Sequence, residues 1–167
     1  GLAAYAADDW KKAAAHFDRL AAVYPESKHR RLALYKAGLA HAYLGDYLAA
    51  SERFEALLEL DPRDADAAFR LAECRYYRGE YDSAAEILAR LGLREDLPLA
   101  RRAEAEVKRG ICLFDGGRFA EAEDVLRLGL KHFRDAEREE RIDDYYPAQA
   151  QYYLGEVYRF YFERVRI

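Results

Sequence analysis

Alanine and large apolar residues recur along this chain at steps of three and four, in blocks that each open on a short polar turn. Four such blocks share one register: "DDWKKAAAHF" from Asp8, "GDYLAASERF" from Gly45, "GEYDSAAEIL" from Gly79 and "GRFAEAEDVL" from Gly117. An aromatic residue (Trp10, Tyr47, Tyr81, Phe119) is followed three positions on by Ala (Ala13, Ala50, Ala84, Ala122). Four further on comes a large apolar residue (Phe17, Phe54, Leu88, Leu126). Three plus four is the step of one helix face, so each block predicts an amphipathic helix, and the alanine in its middle lets a neighbouring helix come close.

A second helical pattern precedes each Gly turn: "RLALYKAGLAHAYL" from Arg31, "ADAAFRLAECRYYR" from Ala65, "AEAEVKRGICLFDG" from Ala103 and "AQAQYYLGEVYRFYFERVRI" from Ala148. One slot in its middle always holds a small residue, namely Gly38, Ala72, Gly110 and Gly155. Glycine inside a helix costs about 1 kcal/mol relative to alanine, so its recurrence there predicts close crossing of two helices. Gly45, Gly79 and Gly117 supply the left-handed residue that ends these helices, and Pro25 and Pro62 close the following ones. Gly45 to Gly79, Tyr47 to Tyr81 and Ala50 to Ala84 are each 34 residues apart. Trp10 to Tyr47 is 37 and Tyr81 to Phe119 is 38, so some units carry extra residues in loops or helix ends. A period of this length predicts stacked two-helix repeats.

These residues resemble the tetratricopeptide repeat, a helix-turn-helix unit whose copies stack into a right-handed superhelix. The likeness spans nearly the whole chain and is best at "YKAGLAHAYLGDYLAASERFEALLELDP" and "YYLGEVY", where Leu154, Gly155 and Tyr158 occupy the Leu-Gly and Tyr slots. The copies diverge elsewhere. The Trp slot holds Leu34, Ala68, Glu106 and Gln151, and the Tyr slot holds His41, Arg75 and Leu113. The expected fold is therefore all-α, a right-handed α-solenoid forming a single domain over 1–167. Its units fall at about 1–27, 28–62, 64–97 and 98–134, followed by a charged connector at 135–147 and the first helix of a further unit at 148–167. The connector, part of "RDAEREERIDDYYP", reads either as a helical extension or, as we favour, a solvated link. Tyr145 and Tyr146 are its unexplained feature.

Composition changes this picture little. The 167 residues are 51% hydrophobic with 4 prolines and 10 glycines, enough to build a helical core. A net charge of −4 with 35% charged residues lacks the basic excess that would neutralise phosphates, which argues against nucleic acid as a partner. No run approaches the roughly 18 apolar residues that a membrane-spanning helix needs. The chain opens "GLAAYAADDW" without Met and reads as a fragment.

Candidate chemistry is sparse. Cys74 and Cys112 each stand five residues before a turn glycine, a slot that Ala40 fills one repeat earlier, which predicts a small buried residue rather than a redox site. No two of His16, His29, His41 and His132 stand at helical metal-ligand spacing, and Glu26 with His29 is a single Glu-x-x-His where a di-iron bundle needs two. His41 falls on the packing face and reads as a hydrogen-bonded structural histidine. No nucleophile elbow or phosphate loop occurs, and Glu121, Glu123, Asp124 and Arg127 read as a solvated face. The expectation is a chain without enzymatic activity, metal or cofactor.

In the family that the chain resembles, the leading helix of each repeat lines a concave groove for an extended peptide or partner helix. That resemblance puts groove slots at Leu32, Tyr35, Leu39 and Tyr43, at Asp66, Phe69, Glu73, Tyr76 and Tyr77, at Glu104, Val107, Ile111 and Phe114, and at Tyr152, Glu156 and Phe160. The alternative for the aromatics is packing between repeats; their large area at small entropic cost suits either role. Members that grip a terminal carboxylate carry Lys and Asn where this chain has Tyr35, Leu39, Phe69 and Glu73. A partner with apolar side chains and some Lys or Arg fits better. The resemblance implies a protein-protein interaction scaffold that docks a peptide or partner protein. The rival reading is an architectural spacer, or self-association through the terminal repeats, motivated by the aromatic-basic ending "YRFYFERVRI". "HFDRLAAVYPES" and "RFEALLELDPRD" are similar to bacterial cell-envelope members, which implies the periplasm or envelope, with the cytoplasm as the other setting.

Overall fold

A computed structural model describes residues 9–138 and 143–165. Positions 1–8, 139–142 and 166–167 of the expected units and connector lie outside the described residues. Eight helices occupy the described residues: α1 Trp10–Val23, α2 Arg30–Tyr43, α3 Tyr47–Leu60, α4 Ala65–Tyr77, α5 Tyr81–Gly92, α6 Leu99–Asp115, α7 Phe119–Ala136 and α8 Tyr145–Val165. They fall into two compact units, 1–79 and 80–167.

In the first unit α1 packs on α2, α2 on α3 and α3 on α4. Three of these helices, α1, α3 and α4, start where an aspartate caps them. Asp9 accepts from the Lys12 amide at 3.3 Å, Asp46 from Ala49 at 3.1 Å and Asp64 from Ala67 at 3.0 Å. The α2–α3 turn closes as the glycine pattern predicts. Gly45 sits at φ +77°, its amide donates to the Ala42 carbonyl and the Asp46 amide to that of His41, two hydrogen bonds that satisfy free carbonyls of the helix end. The core is mostly alanine, with Ala13, Ala33, Ala37, Ala40 and Ala67 each at most 1% exposed around Phe17, Leu34 and Leu57. Such small residues let helices approach until backbone meets side chain. At Gly38 a Cβ would lie 2.7 Å from the Phe54 ring, so the glycine slot and the large-apolar slot of this repeat fill each other.

Polar ties cross the same unit. Asp18 of α1 accepts from Arg53 of α3 at 2.6 Å and pairs with His41 Nε2 of α2 at 2.9 Å. Burial works against the charge of Asp18, but these two partners outweigh it and hold its carboxyl below the usual range. His41 is thus the hydrogen-bonded residue that its slot predicts.

In the second unit α5 packs on α6, α6 on α7, and α8 against both α6 and α7. Ala103, Val107, Leu126, Phe133 and Ala150 form its centre. The glycine logic repeats more tightly, because a Cβ on Gly110 would lie 2.5 Å from Leu126 and one on Gly129 2.9 Å from Val107. Gly155 departs from the expectation of close crossing: it is exposed, and nothing lies within 4 Å of a Cβ placed there. Glu106, 7% exposed, pairs with His132 Nδ1 at 2.8 Å. Burial pushes its carboxyl above the usual range against the pull of His132, Arg102 and Arg109. The two tyrosines before Pro147 acquire a reason, since α8 begins there and Tyr146 stacks on Phe133 beneath the Lys108 ammonium.

Cys74 and Cys112 are 2% and 3% exposed. Burial pushes their thiols up to about 11 and about 12, which keeps them protonated, as the shared slot with Ala40 predicts.

Candidate interaction surface

The aromatic residue that opens each following helix stacks on the end of its neighbour. Trp10 stacks on Tyr43 at 4.3 Å and 17°, Tyr47 on Tyr77 at 4.8 Å and 18°, and Phe119 on Phe160 at 3.8 Å and 28°. The fourth member of the column, Tyr81, meets Gly116, whose Cβ would lie 3.4 Å from it. Stacking at the mouth of a helical hairpin leaves the outer ring half in solvent, and Tyr43 and Tyr77 are 64% and 62% exposed.

In the first unit these rings wall a cleft of ≈ 240 Å³. Helix α2 contributes Leu39, Ala42 and Tyr43, α3 contributes Tyr47, and α4 contributes Arg70, Glu73, Cys74 and Tyr77. Arg70 donates to Glu73 at 2.8 Å across one turn of α4. Burial opposes the guanidinium's charge, yet Glu73 and the Tyr35 hydroxyl raise its pKa above the ordinary value, so Arg70 stays charged at the cleft. The arrangement offers rings spaced for an apolar side chain and an ion pair able to exchange hydrogen bonds with a peptide backbone.

Of the expected groove residues, Leu39, Tyr43, Glu73 and Tyr77 gather at this cleft. Tyr35 stands behind it, half-buried and edge-on to Phe54 at 5.9 Å, and Tyr76 packs edge-on to Tyr77 at 5.4 Å. Asp66 is exposed in the first turn of α4 and does not line the cleft. Two residues are corrected outright. Phe69 at 3% and Val107 at 0% exposure are core residues that offer a partner no surface. In the second unit Ile111 packs half-buried on the central cluster, and Phe114 is wedged between Phe119 and Tyr153 at 5.3 Å each. Tyr152 is 63% exposed on α8, and Glu156 is held by Arg159 at 2.7 Å. These do not converge on a cleft of the aromatic kind seen in the first unit. Leu32 is exposed, Glu104 is buried and bonded to Arg101 at 2.7 Å, and Phe160 stacks on Phe119 and lines a separate cleft with Tyr161 and Arg164.

The cleft residues that the slot pattern overlooks are Ala42, Tyr47, Arg70 and Cys74. Tyr47 belongs to the aromatic column assigned to helix packing, and Arg70 stands three residues before Glu73, the spacing of a helical ion pair that could have found it. Among the described residues no group of three or more His, Cys, Asp or Glu is placed to hold a metal ion, and no helix is long and apolar enough to cross a membrane.

Similarity to known proteins agrees with the helix pairs. A sequence model described as Tetratricopeptide repeat matches residues 35–98 and 77–136, and a second model of the same description matches residues 1–27. A solved structure titled "MamA RS-1 ArsTM double mutant" superposes with a TM-score of 0.64 over 95% of this chain and 90% of that chain. Its sequence is 18% identical, so the likeness shows the all-α helical-repeat fold of the solenoid class and nothing further. No curated protein matches the chain.

Proposed function

Since the chain belongs to the tetratricopeptide repeat family, whose members are interaction modules and typically non-catalytic, we propose that it is a non-enzymatic scaffold that docks an extended peptide segment of a partner protein in the aromatic cleft of its first unit. The observation that carries this reading is the pair of exposed stacked rings, Tyr43 on Trp10 and Tyr77 on Tyr47, flanking the Arg70–Glu73 pair. Rings fixed by stacking present large apolar area with little rotamer freedom left to lose, which favours binding. An apolar side chain of the peptide would sit between Tyr43 and Tyr77. A neighbouring Lys or Arg would share Glu73. Arg70 is already engaged by that carboxylate, and the cleft has no free cation to grip a chain terminus, which supports an internal segment as ligand. The cell-envelope setting suggested by the Tyr-Pro and Asp-Pro helix endings belongs to the same proposal.

The test is selection from a random-peptide display library on the immobilised chain, followed by calorimetric titration of a selected peptide into the chain and into a Tyr43→Ala/Tyr77→Ala variant. Binding weakened at least tenfold in the variant, with helical circular dichroism unchanged, supports the reading. Equal affinity for both proteins overturns it.

A further inference from the structure

The cleft of the first unit is rich in hydrogen-bond donors and short of acceptors. Tyr43, Tyr47 and Tyr77 line it, and none of the described residues bonds their hydroxyls. Arg70 adds a guanidinium, a group that only donates, and Glu73 at 2.8 Å and the Tyr35 hydroxyl engage part of its fork. Glu73 is the cleft's one side chain that only accepts, and Arg70 already holds it. The nearby carbonyls are taken as well. That of Ala42 accepts from the Gly45 amide at 3.0 Å, and that of Cys74 from the Arg78 amide at 3.2 Å.

An ordinary extended peptide carries an N–H for nearly every C=O, so in this cleft its amides would face further donors and lose the partners that water gave them. A proline-rich segment offers carbonyls without amides. In its polyproline II form those carbonyls make no bonds within the segment and are free to accept from a phenol or a guanidinium.

The apolar walls select the same ligand. Stacking on Trp10 and Tyr47 fixes the rings of Tyr43 and Tyr77, and Leu39 and Ala42 add apolar surface beside them. At ≈ 240 Å³ the cleft is smaller than the roughly 300–1,000 Å³ that encloses a whole small ligand, so it takes one or two compact side chains of a chain that runs on past it. A pyrrolidine ring is compact and gives up almost no side-chain freedom on burial, and fixed rings meeting a preformed ligand keep the ordering cost of binding low.

We propose that the first-unit cleft is a polyproline II site: the partner presents a proline-rich segment, with a pyrrolidine ring between Tyr43 and Tyr77 and its carbonyls on the tyrosine hydroxyls and Arg70. This rests on the cleft's being a peptide site and narrows that site to one ligand chemistry.

Fluorescence anisotropy of a short labelled probe, all proline except for one leucine and one arginine, tests it against the same probe with alanine at every proline position. The whole chain should bind the proline probe saturably and the alanine probe at least tenfold more weakly. Two protein variants locate the contact. Tyr43→Ala/Tyr77→Ala removes the walls and should weaken the proline probe at least tenfold with helical circular dichroism unchanged. Tyr43→Phe/Tyr77→Phe keeps the rings and their stacks but deletes two donors, and should weaken it at least threefold. A chain that ignores the proline probe, or binds the alanine probe as tightly, overturns the proposal; display-selected peptides without proline that still need Tyr43 and Tyr77 would then leave the peptide site standing. Proline-probe binding untouched by the alanine variant removes the ligand from the cleft and overturns both. Full affinity in the phenylalanine variant overturns the donor pairing that sets the ligand class.

Discussion

At the residue scale, one slot separates two outcomes. Gly38 and Gly110 face Phe54 and Leu126 at distances no Cβ tolerates, whereas Gly155 faces open space. Gly38→Ala and Gly110→Ala should each destabilise the chain by about 1–3 kcal/mol through overpacking, less the helix-propensity gain of alanine. Gly155→Ala should be neutral or stabilise by up to about 1 kcal/mol. Chemical denaturation of the three variants measures the difference. Asp18 supplies a second prediction. Its folded-state pKa lies below its ordinary value, so its contribution to stability is complete above the unfolded carboxyl pKa and is lost as pH falls through the folded one. Asp18→Asn should cost about 1–2 kcal/mol at neutral pH, because Arg53 and His41 lose a half-buried charged partner. The gap between wild type and variant should narrow as the pH drops below about 4. Urea titrations at several pH values follow both the sign and the window.

At the scale of elements, the helix pairs were legible because the repeat is written in residue types that have one use each: a ring to open a helix, alanine for close approach, a glycine at positive φ to end it. Phe54, Leu88 and Leu126 lie buried where that column puts them, and Gly45, Gly79 and Gly117 take φ near +77°. The interaction surface was less legible for a physical reason. Leading helices touch neighbours over a wide arc that differs from unit to unit, so one slot can exchange core for surface. Tyr35 is half-buried, while Phe69 and Val107, in the same slot three residues before the small residue of the later copies, are core. Tyr47 carries two roles at once, packing residue and cleft wall, and a pattern that assigns each column one role misses the second. Replacing one member of a stacked pair should therefore register in stability as well as in binding. Tyr77→Ala is expected to lower stability by about 0.5–1.5 kcal/mol through the lost stack on Tyr47, while Tyr152→Ala at an exposed position of α8 leaves stability within about 0.5 kcal/mol. Thermal unfolding in dilute solution distinguishes the two.

At the scale of the molecule, the chain carries a net charge of −4 and forms two compact helical units, with carboxylates such as Glu121, Glu123 and Glu156 paired to neighbouring arginines. What it offers partners is shaped apolar surface, concentrated at rings that stacking holds outward. The central claim is that the first-unit cleft is where a partner peptide docks. Calorimetric titration of a display-selected peptide into the wild type and into Tyr43→Ala/Tyr77→Ala measures it most directly, with Tyr152→Ala as the control for an exposed ring elsewhere. The account predicts affinity weakened at least tenfold by the cleft variant alone, with the control at wild-type affinity. Unchanged affinity in the cleft variant, or an equal loss in the control, would contradict it.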